Sequence, residues 1–353
     1  MTTSVLQHGW PCGLFCEAHI GGAFGPGAQI ERMLAVEAAL TRALAAAEVI
    51  GADAAKAVLG SFESFVADHA AISGGTARDG VPVPEFVRQL RAHAGGARGE
   101  TIHKGATSQD IVDTALVLTL GHVNGILGRR MMAAIEALDA LIERYGVRPL
   151  MGRTRMQAAV PITVADRILT WRDPLELHMH RLAEISPRLM VLQFGGAAGN
   201  RSALADKGNA VAEAMATVLN LSCPDKAWHA MRDRIVEYAG WLSLVTGTLG
   251  KMGQDVCLMA QDEIGEIRLS GGGSSSAMPH KRNPVMAELL VTLARFNAVQ
   301  LSGMHQTLIH EQERSGAAWS LEWMLLPPMA EATGRALTVA REIADSVEAM
   351  GEG

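Results

Sequence analysis

Aromatic residues are scarce: seven Phe, six Trp and two Tyr make up 4% of the 353 residues. Ala, Leu, Met and Gly dominate instead, so strand formers are few and helix formers many, which argues against an all-β chain and for an all-α one. Charge is thin as well, at 19% of residues with a formal net of −6, and no run of Lys and Arg occurs. A nucleic-acid or membrane-surface partner is therefore disfavoured, although a local basic pocket is not. Cysteine is limited to Cys12, Cys16, Cys223 and Cys257, with no CxxC pair, which in a chain of this size reads as reduced thiols. No metal is expected, because His178 and His180, or His305 and His310, lack a carboxylate or thiolate partner set. No cofactor is expected either, since the phosphate-binding and dinucleotide fingerprints are missing. The apolar stretches 114–128 and 238–250 are too short to cross a bilayer, and the Met1-Thr2-Thr3-Ser4 start lacks a secretory pattern. The expectation is a cytoplasmic protein. What is plentiful is apolar content, 48% of residues, enough for a large buried core.

The apolar spacing predicts long helices. Met33, Val36, Leu40 and Leu44 place a helix over 29–50, ended by Gly51. Residues 73–84 are rich in Gly and Pro and read as an irregular loop, followed by a short helix over 85–93. A boundary near residue 100 divides an N-terminal helical domain, 1–100, from a long-helix domain, 101–353. Beyond it, 109–145 is one helical pattern, opened by Thr107 and Asp110 at capping-box spacing. Ile168, Leu175, Leu182 and Leu189 repeat every seven residues, with Pro174 and Pro187 expected to kink or end that stretch. The clearest repeat is a double row, Ile235, Leu242, Leu249, Val256 and Tyr238, Val245, Met252, Met259, which forms a coiled-coil-like seam. Helices over 284–313 and 328–350 complete the pattern. Paired apolar rows of this length suggest a bundle completed by other copies of the chain, so a homo-oligomer is expected.

Three polar segments interrupt the helices. They are His103-Lys104-Gly105-Ala106-Thr107-Ser108-Gln109-Asp110, Gly152-Arg153-Thr154-Arg155-Met156-Gln157, and Gly271 to Pro284, which contains Ser274-Ser275-Ser276-Ala277-Met278-Pro279-His280-Lys281-Arg282-Asn283. Three Gly and three Ser in succession cannot hold a helix, yet helical patterns flank them. Their hydroxyls and backbone N–H groups are free to meet an anion, beside Lys281 and the helix start at Pro284.

The third segment resembles the signature of the fumarase/aspartase superfamily, Gly-Ser-Ser-x-Met-Pro-x-Lys-x-Asn-Pro, with Ser274 standing where the leading Gly is usual. The other two segments resemble the superfamily's remaining shared regions, in the same order. The resemblance implies an all-α elongated bundle, with five long helices per chain contributing to a twenty-helix homotetramer core and active sites shared between subunits. It implies that Ser275 is the catalytic base or acid, that Lys281 and Asn283 bind a substrate carboxylate, and that Thr107 and Ser108 do the same. His103 matches a histidine that some of these lyases use. The usual small C-terminal domain is expected to be absent.

One departure narrows the expected reaction. Most lyases of the superfamily read Gly-Arg-Thr-His-x-Gln in the second segment, and here Arg155 replaces the His. Arginine stays protonated at neutral pH, so it cannot give acid–base help but can stabilise an anion. A carboxylate that leaves, or in reverse adds to a double bond, needs charge stabilisation and no proton. The bacterial 3-carboxy-cis,cis-muconate cycloisomerases of the superfamily carry out such a lactonization in aromatic-acid (protocatechuate) catabolism, and they also lack the His. Their text is similar to that of 191–199, Trp228-His229, Arg232-Asp233 and 278–285. The resemblance implies a small polycarboxylate substrate, a carboxymuconate or an anionic analogue such as a sulfomuconate. Arg153, Thr154, Arg155, Gln157, Lys281, Arg282 and Asn283 would surround it, and addition would pass through an aci-carboxylate. Two other readings are an elimination lyase that releases fumarate and a catalytically silent helical scaffold.

Overall fold

The computed structural model describes residue 6, residues 9–274, residue 278 and residues 282–351. Ser275, Lys281 and the neighbouring 276–277 and 279–280 lie outside the described residues, as do 1–5, 7–8 and 352–353.

Short helices α1 (Cys12–Phe15) and α2 (Ala18–Ala23) lead into α3 (Pro26–Ala46), α4 (Ala52–Phe62), α5 (His69–Asp79), α6 (Val83–Ala94) and α7 (Gly96–Gly99). Gly51 does not end α3; it caps the N-terminus of α4. The expected irregular loop over 73–84 is also corrected, because α5 runs through Ser73-Gly74-Gly75. Asp68 caps its start by accepting from Ala71 N, and Gly80 closes it in the left-handed conformation at φ +75°. Gly75 is there for a close approach: a Cβ at that position would lie 2.6 Å from the Glu85 Cβ on α6. Tertiary contact thus outweighs the weak helix propensity of the glycines.

Five long helices follow: α8 (Ser108–Tyr145), α9 (Val164–Leu189), α11 (Asp233–Met259), α12 (Val285–Gln306) and α13 (Gly316–Asp345), with the shorter α10 (Gly208–Leu219) before α11. The 38 residues of α8 reach about 57 Å at 1.5 Å per residue. That helix is long and apolar enough to cross a membrane by length and composition, contrary to the expectation drawn from shorter stretches, and half of its most apolar window is buried inside the protein. It packs on α9 and α13, while α11 packs on α9, α12 and α13, so α8 is a core helix. Both predicted rows of α11 are buried throughout. The bundle helix α9 continues through Pro174 without ending, and Pro187 falls in its last turn. The C-terminal pattern is read differently too: α13 begins at Gly316, runs through Pro327-Pro328, and gives way to a strand over 347–350.

The strands are short antiparallel pairs. A hairpin of β1 (Pro149–Thr154) and β2 (Gln157–Thr163) joins α8 to α9. Strand β3 (Ile267–Leu269) pairs with β6 (Val347–Met350), and β4 (Gly273–Ser274) pairs with β5 (Arg282–Asn283). The chain builds two apolar cores. One runs the length of the bundle; the other joins α3–α6 to Ile111 and Ala115 of α8 and to Leu192, Phe194, Leu204 and α10. The N-terminal helices therefore share their core with residues well beyond 100, and the first polar segment lies where the two cores meet.

Candidate active site

The start of α8 is densely hydrogen-bonded. The predicted capping box forms, and Thr107 N donates to Asp110 Oδ2 at 2.9 Å. Asp110 is fully buried, and its carboxylate also accepts from Gly195 N (2.8 Å), Gly196 N (2.9 Å) and His229 Nε2 (2.7 Å). Three backbone N–H groups already donate to this carboxylate, and the His229 tautomer that fits beside them is the one carrying its hydrogen on Nε2. The Gly195–Arg201 loop is thereby pinned against the helix start. Gly196, at φ +69°, approaches so closely that a Cβ would stand 2.8 Å from Gly105 O. Behind it, a cavity of about 470 Å³ is lined by Gly199, Asn200, Arg201, Asn209, Lys226 and His229 among others.

One turn further along, Asp113 anchors a buried ion network. Arg232 Nη1 and Nη2 donate to Asp113 at 2.6 and 3.1 Å, and its Nε and Nη2 donate to Glu322 at 3.0 and 2.6 Å. Trp319 Nε1, Gln109 Nε2 and Gln193 Nε2 complete the shell on Asp113 at 2.9, 3.1 and 3.2 Å. Burial opposes the Arg232 charge, but Asp113 and Glu322 outweigh it and hold that guanidinium above its ordinary range. This network fixes α8, α11 and α13 to one another directly beneath the Thr107–Asp110 cap.

Of the predicted site residues, Thr107 and Ser108 sit half-buried at this helix start. Thr107 Oγ1 accepts from Arg314 Nη1 at 2.8 Å, and Arg314 also donates to Ala197 O. His103 places Nδ1 2.6 Å from Glu37 Oε1 and adopts φ +64°, a left-handed conformation that costs a non-glycine residue about 1–2 kcal/mol. The second segment lies on the hairpin. Thr154 and Gln157 are exposed, and the two residues between the strands, Arg155 and Met156, have φ +48° and +68°. Positive φ at both positions is the signature of a two-residue type I′ turn, usually Asn-Gly. Here two large side chains occupy it. Arg155 makes no ion pair or hydrogen bond among the described residues, whereas Arg153 Nη2 donates to Glu266 Oε1 at 2.6 Å and is committed there. In the third segment Arg282 is exposed and Asn283 half-buried; Ser275 and Lys281 lie outside the described residues. Among the described residues no hydrogen bond or ion pair links the three segments within one chain.

Glu37, Asp110, His229 and Arg314 were not singled out as site residues from the sequence. Glu37 carried a signal, an acid on the apolar stripe Met33–Val36–Leu40–Leu44. The other three meet the first segment through contacts 119 or more residues apart, or through a carboxylate read only as a helix cap.

The sequence profile described as "Lyase" matches residues 22–345. A 3-carboxy-cis,cis-muconate cycloisomerase of Pseudomonas aeruginosa is 37% identical over 95% of this chain and 74% of its own length. An N-acetyl-S-(2-succino)cysteine lyase of Enterococcus italicus is 34% identical over 95% of this chain and 74% of its own. The crystal structure of 3-carboxy-cis,cis-muconate lactonizing enzyme from Pseudomonas putida superposes with a TM-score of 0.88 at 36% identity, covering 96% of this chain and 76% of that one. With the profile spanning nearly the whole chain and the bundle reproduced in a solved relative, the protein belongs to the lyase family, the fumarase/aspartase superfamily, and is an enzyme of it.

Proposed function

We propose that the protein is a cycloisomerase that closes 3-carboxy-cis,cis-muconate, or a close anionic analogue, to its muconolactone in aromatic-acid catabolism. Cations bind the trianion, one carboxylate adds across the conjugated alkene, and the electrons collect on another carboxylate as an aci-carboxylate. Protonation of the α-carbon completes the reaction, and the donor is Ser275 as first candidate, with His103 the alternative. The observation that carries this reading is Arg155: a fixed cation with no hydrogen bond or ion pair among the described residues, presented on a left-handed turn that its side chain disfavours. Backbone strain of this kind persists where surrounding structure and function hold it. A permanent charge at that position serves a reacting carboxylate, which requires stabilisation as an anion and no proton. Relatives named as cycloisomerases at 35–37% identity support the same assignment.

The site is proposed to form between copies of the chain, in a homotetramer. Two features support that reading: no hydrogen bond or ion pair joins the three polar segments among the described residues, and the bundle helices expose Leu177, Leu244, Val299 and Met324. Light scattering should then return about four times the mass of one chain.

A second reading is favoured by the succinocysteine lyase relative, namely β-elimination that releases fumarate. Incubation with 3-carboxy-cis,cis-muconate and, separately, with N-acetyl-S-(2-succino)cysteine separates the two. Loss of diene absorbance with lactone formed supports the cycloisomerase. Fumarate release from the thioether with the diene untouched overturns it.

A further inference from the structure

Glu37 is a costly residue for its position. It stands in the middle of α3, fully buried, on the stripe that otherwise presents Met33, Val36, Leu40 and Leu44 to the second core. Its Oε1 lies 2.6 Å from His103 Nδ1, while Oε2 is buried with no hydrogen-bond partner among the described residues. Burying a carboxylate with one bond is unfavourable compared with a well-packed apolar side chain of similar volume. Holding the loop in place does not account for it either, because the loop is anchored on both sides of His103 without Glu37. Ile102 is buried and its carbonyl accepts from Arg91 Nη2 at 2.9 Å; Thr107 is held by Asp110 and Arg314.

What Glu37 does accomplish is to choose the tautomer and orientation of an imidazole. A carboxylate facing Nδ1 requires the ring proton there and leaves Nε2 to the open side, where the His103 side chain keeps 16% of its exposure. The charged groups bonded to this segment are Glu37 from α3 at the ring, Arg91 from α6 at Ile102 O, and Asp110 of α8 and Arg314 ahead of α13 at Thr107, with Lys104 in the segment itself. Glu37 is the carboxylate bonded to the ring. We infer that Glu37 is a positioning residue of the active site: it keeps the Nδ1 proton of His103 on the carboxylate side, so that Nε2 is the ring atom that faces the substrate and exchanges the reacting proton with it. The kinetic part of this assignment rests on the cycloisomerase reading; the tautomer does not.

The test uses the full-length protein with ¹⁵N-labelled histidine rings, the His103 signals being assigned by their loss in His103→Asn. In the wild type at alkaline pH, His103 should show protonated Nδ1 and bare Nε2. Glu37→Leu, which removes any acceptor, should move it toward the ordinary Nε2–H form, and the equally acceptor-free Glu37→Met serves if the leucine variant does not fold. The same substitutions should leave the melting temperature unchanged or raised while lowering kcat on 3-carboxy-cis,cis-muconate about tenfold to a hundredfold, with KM little altered. Combined with His103→Asn they should add nothing further, since both act through one ring. An unchanged tautomer overturns the proposal, and so does a tautomer shift with undiminished kcat or with kinetic losses that multiply in the double variant. A tautomer shift in a protein whose wild type leaves the muconate untouched supports the pair and removes the cycloisomerase reading instead.

Discussion

Replacing Arg232 by Met tests the frame beneath the site. The guanidinium is fully buried and makes four hydrogen bonds to two carboxylates, Asp113 and Glu322, which are themselves fully buried. Its removal strands both acids away from water. Breaking a buried ion pair in this way costs about 3–5 kcal/mol, against a total stability of roughly 5–15 kcal/mol for a folded domain. Methionine fills much of the volume, so lost charge compensation and not a cavity dominates. The pH dependence has a defined sign. In the variant the stranded carboxyls bind protons more tightly folded than unfolded, so the deficit is fully present near neutrality and shrinks as the pH falls toward the unfolded carboxyl range near 4. Urea unfolding at pH 7 and pH 5, at one fixed protein concentration, reads both quantities. A deficit under about 1 kcal/mol at pH 7, or one that widens on acidification, would refute the reasoning.

Burial pushes the His178 imidazole down to about 4, with the nearby Arg181 adding to the effect. The folded protein therefore holds it neutral, and its contribution, up to about 3 kcal/mol, is intact above pH 6.5 and lost as pH falls toward 4. His178→Gln, which gives up the 2.9 Å contact with Thr248 Oγ1, should be less stable than the wild type at pH 7 and nearly equal to it at pH 4 in chemical denaturation. Gly253 of α11 sits against Ala287 O and Leu290 Cβ of α12, so Gly253→Ala should destabilise by about 1–3 kcal/mol, whereas Gly60→Ala on α4, with open space around it, should gain up to about 1 kcal/mol; thermal melts distinguish the two.

The bundle was the legible part of the fold. Both rows of α11 could be read directly because a seam of period 3.5 repeats locally, and the Thr107–Asp110 cap could be read because its partners lie three residues apart. The misread parts depend on contacts distant in sequence. Residues 73–79 look like a breaker until α6 is placed against Gly75, and 347–350 looks helical until Ile267–Leu269 is there to pair with it. The site divides the same way. The hydroxyls and cations of the three segments announce themselves by type and order, while Glu37, His229 and Arg314 acquire meaning only when the chain brings them to the first segment. Arg153 adds a contact that spacing does not reveal, its pairing with Glu266, 113 residues away.

The central claim, that a permanent charge at position 155 serves a carboxylate that reacts as an anion, is tested most directly by Arg155→Gln assayed on 3-carboxy-cis,cis-muconate through loss of diene absorbance. The wild type should form the lactone, and the variant, folded and of unchanged oligomeric state, should turn over about a hundredfold more slowly or worse, on the scale of losing one electrostatic stabiliser. A variant that closes the ring within about twofold of the wild-type rate would contradict it.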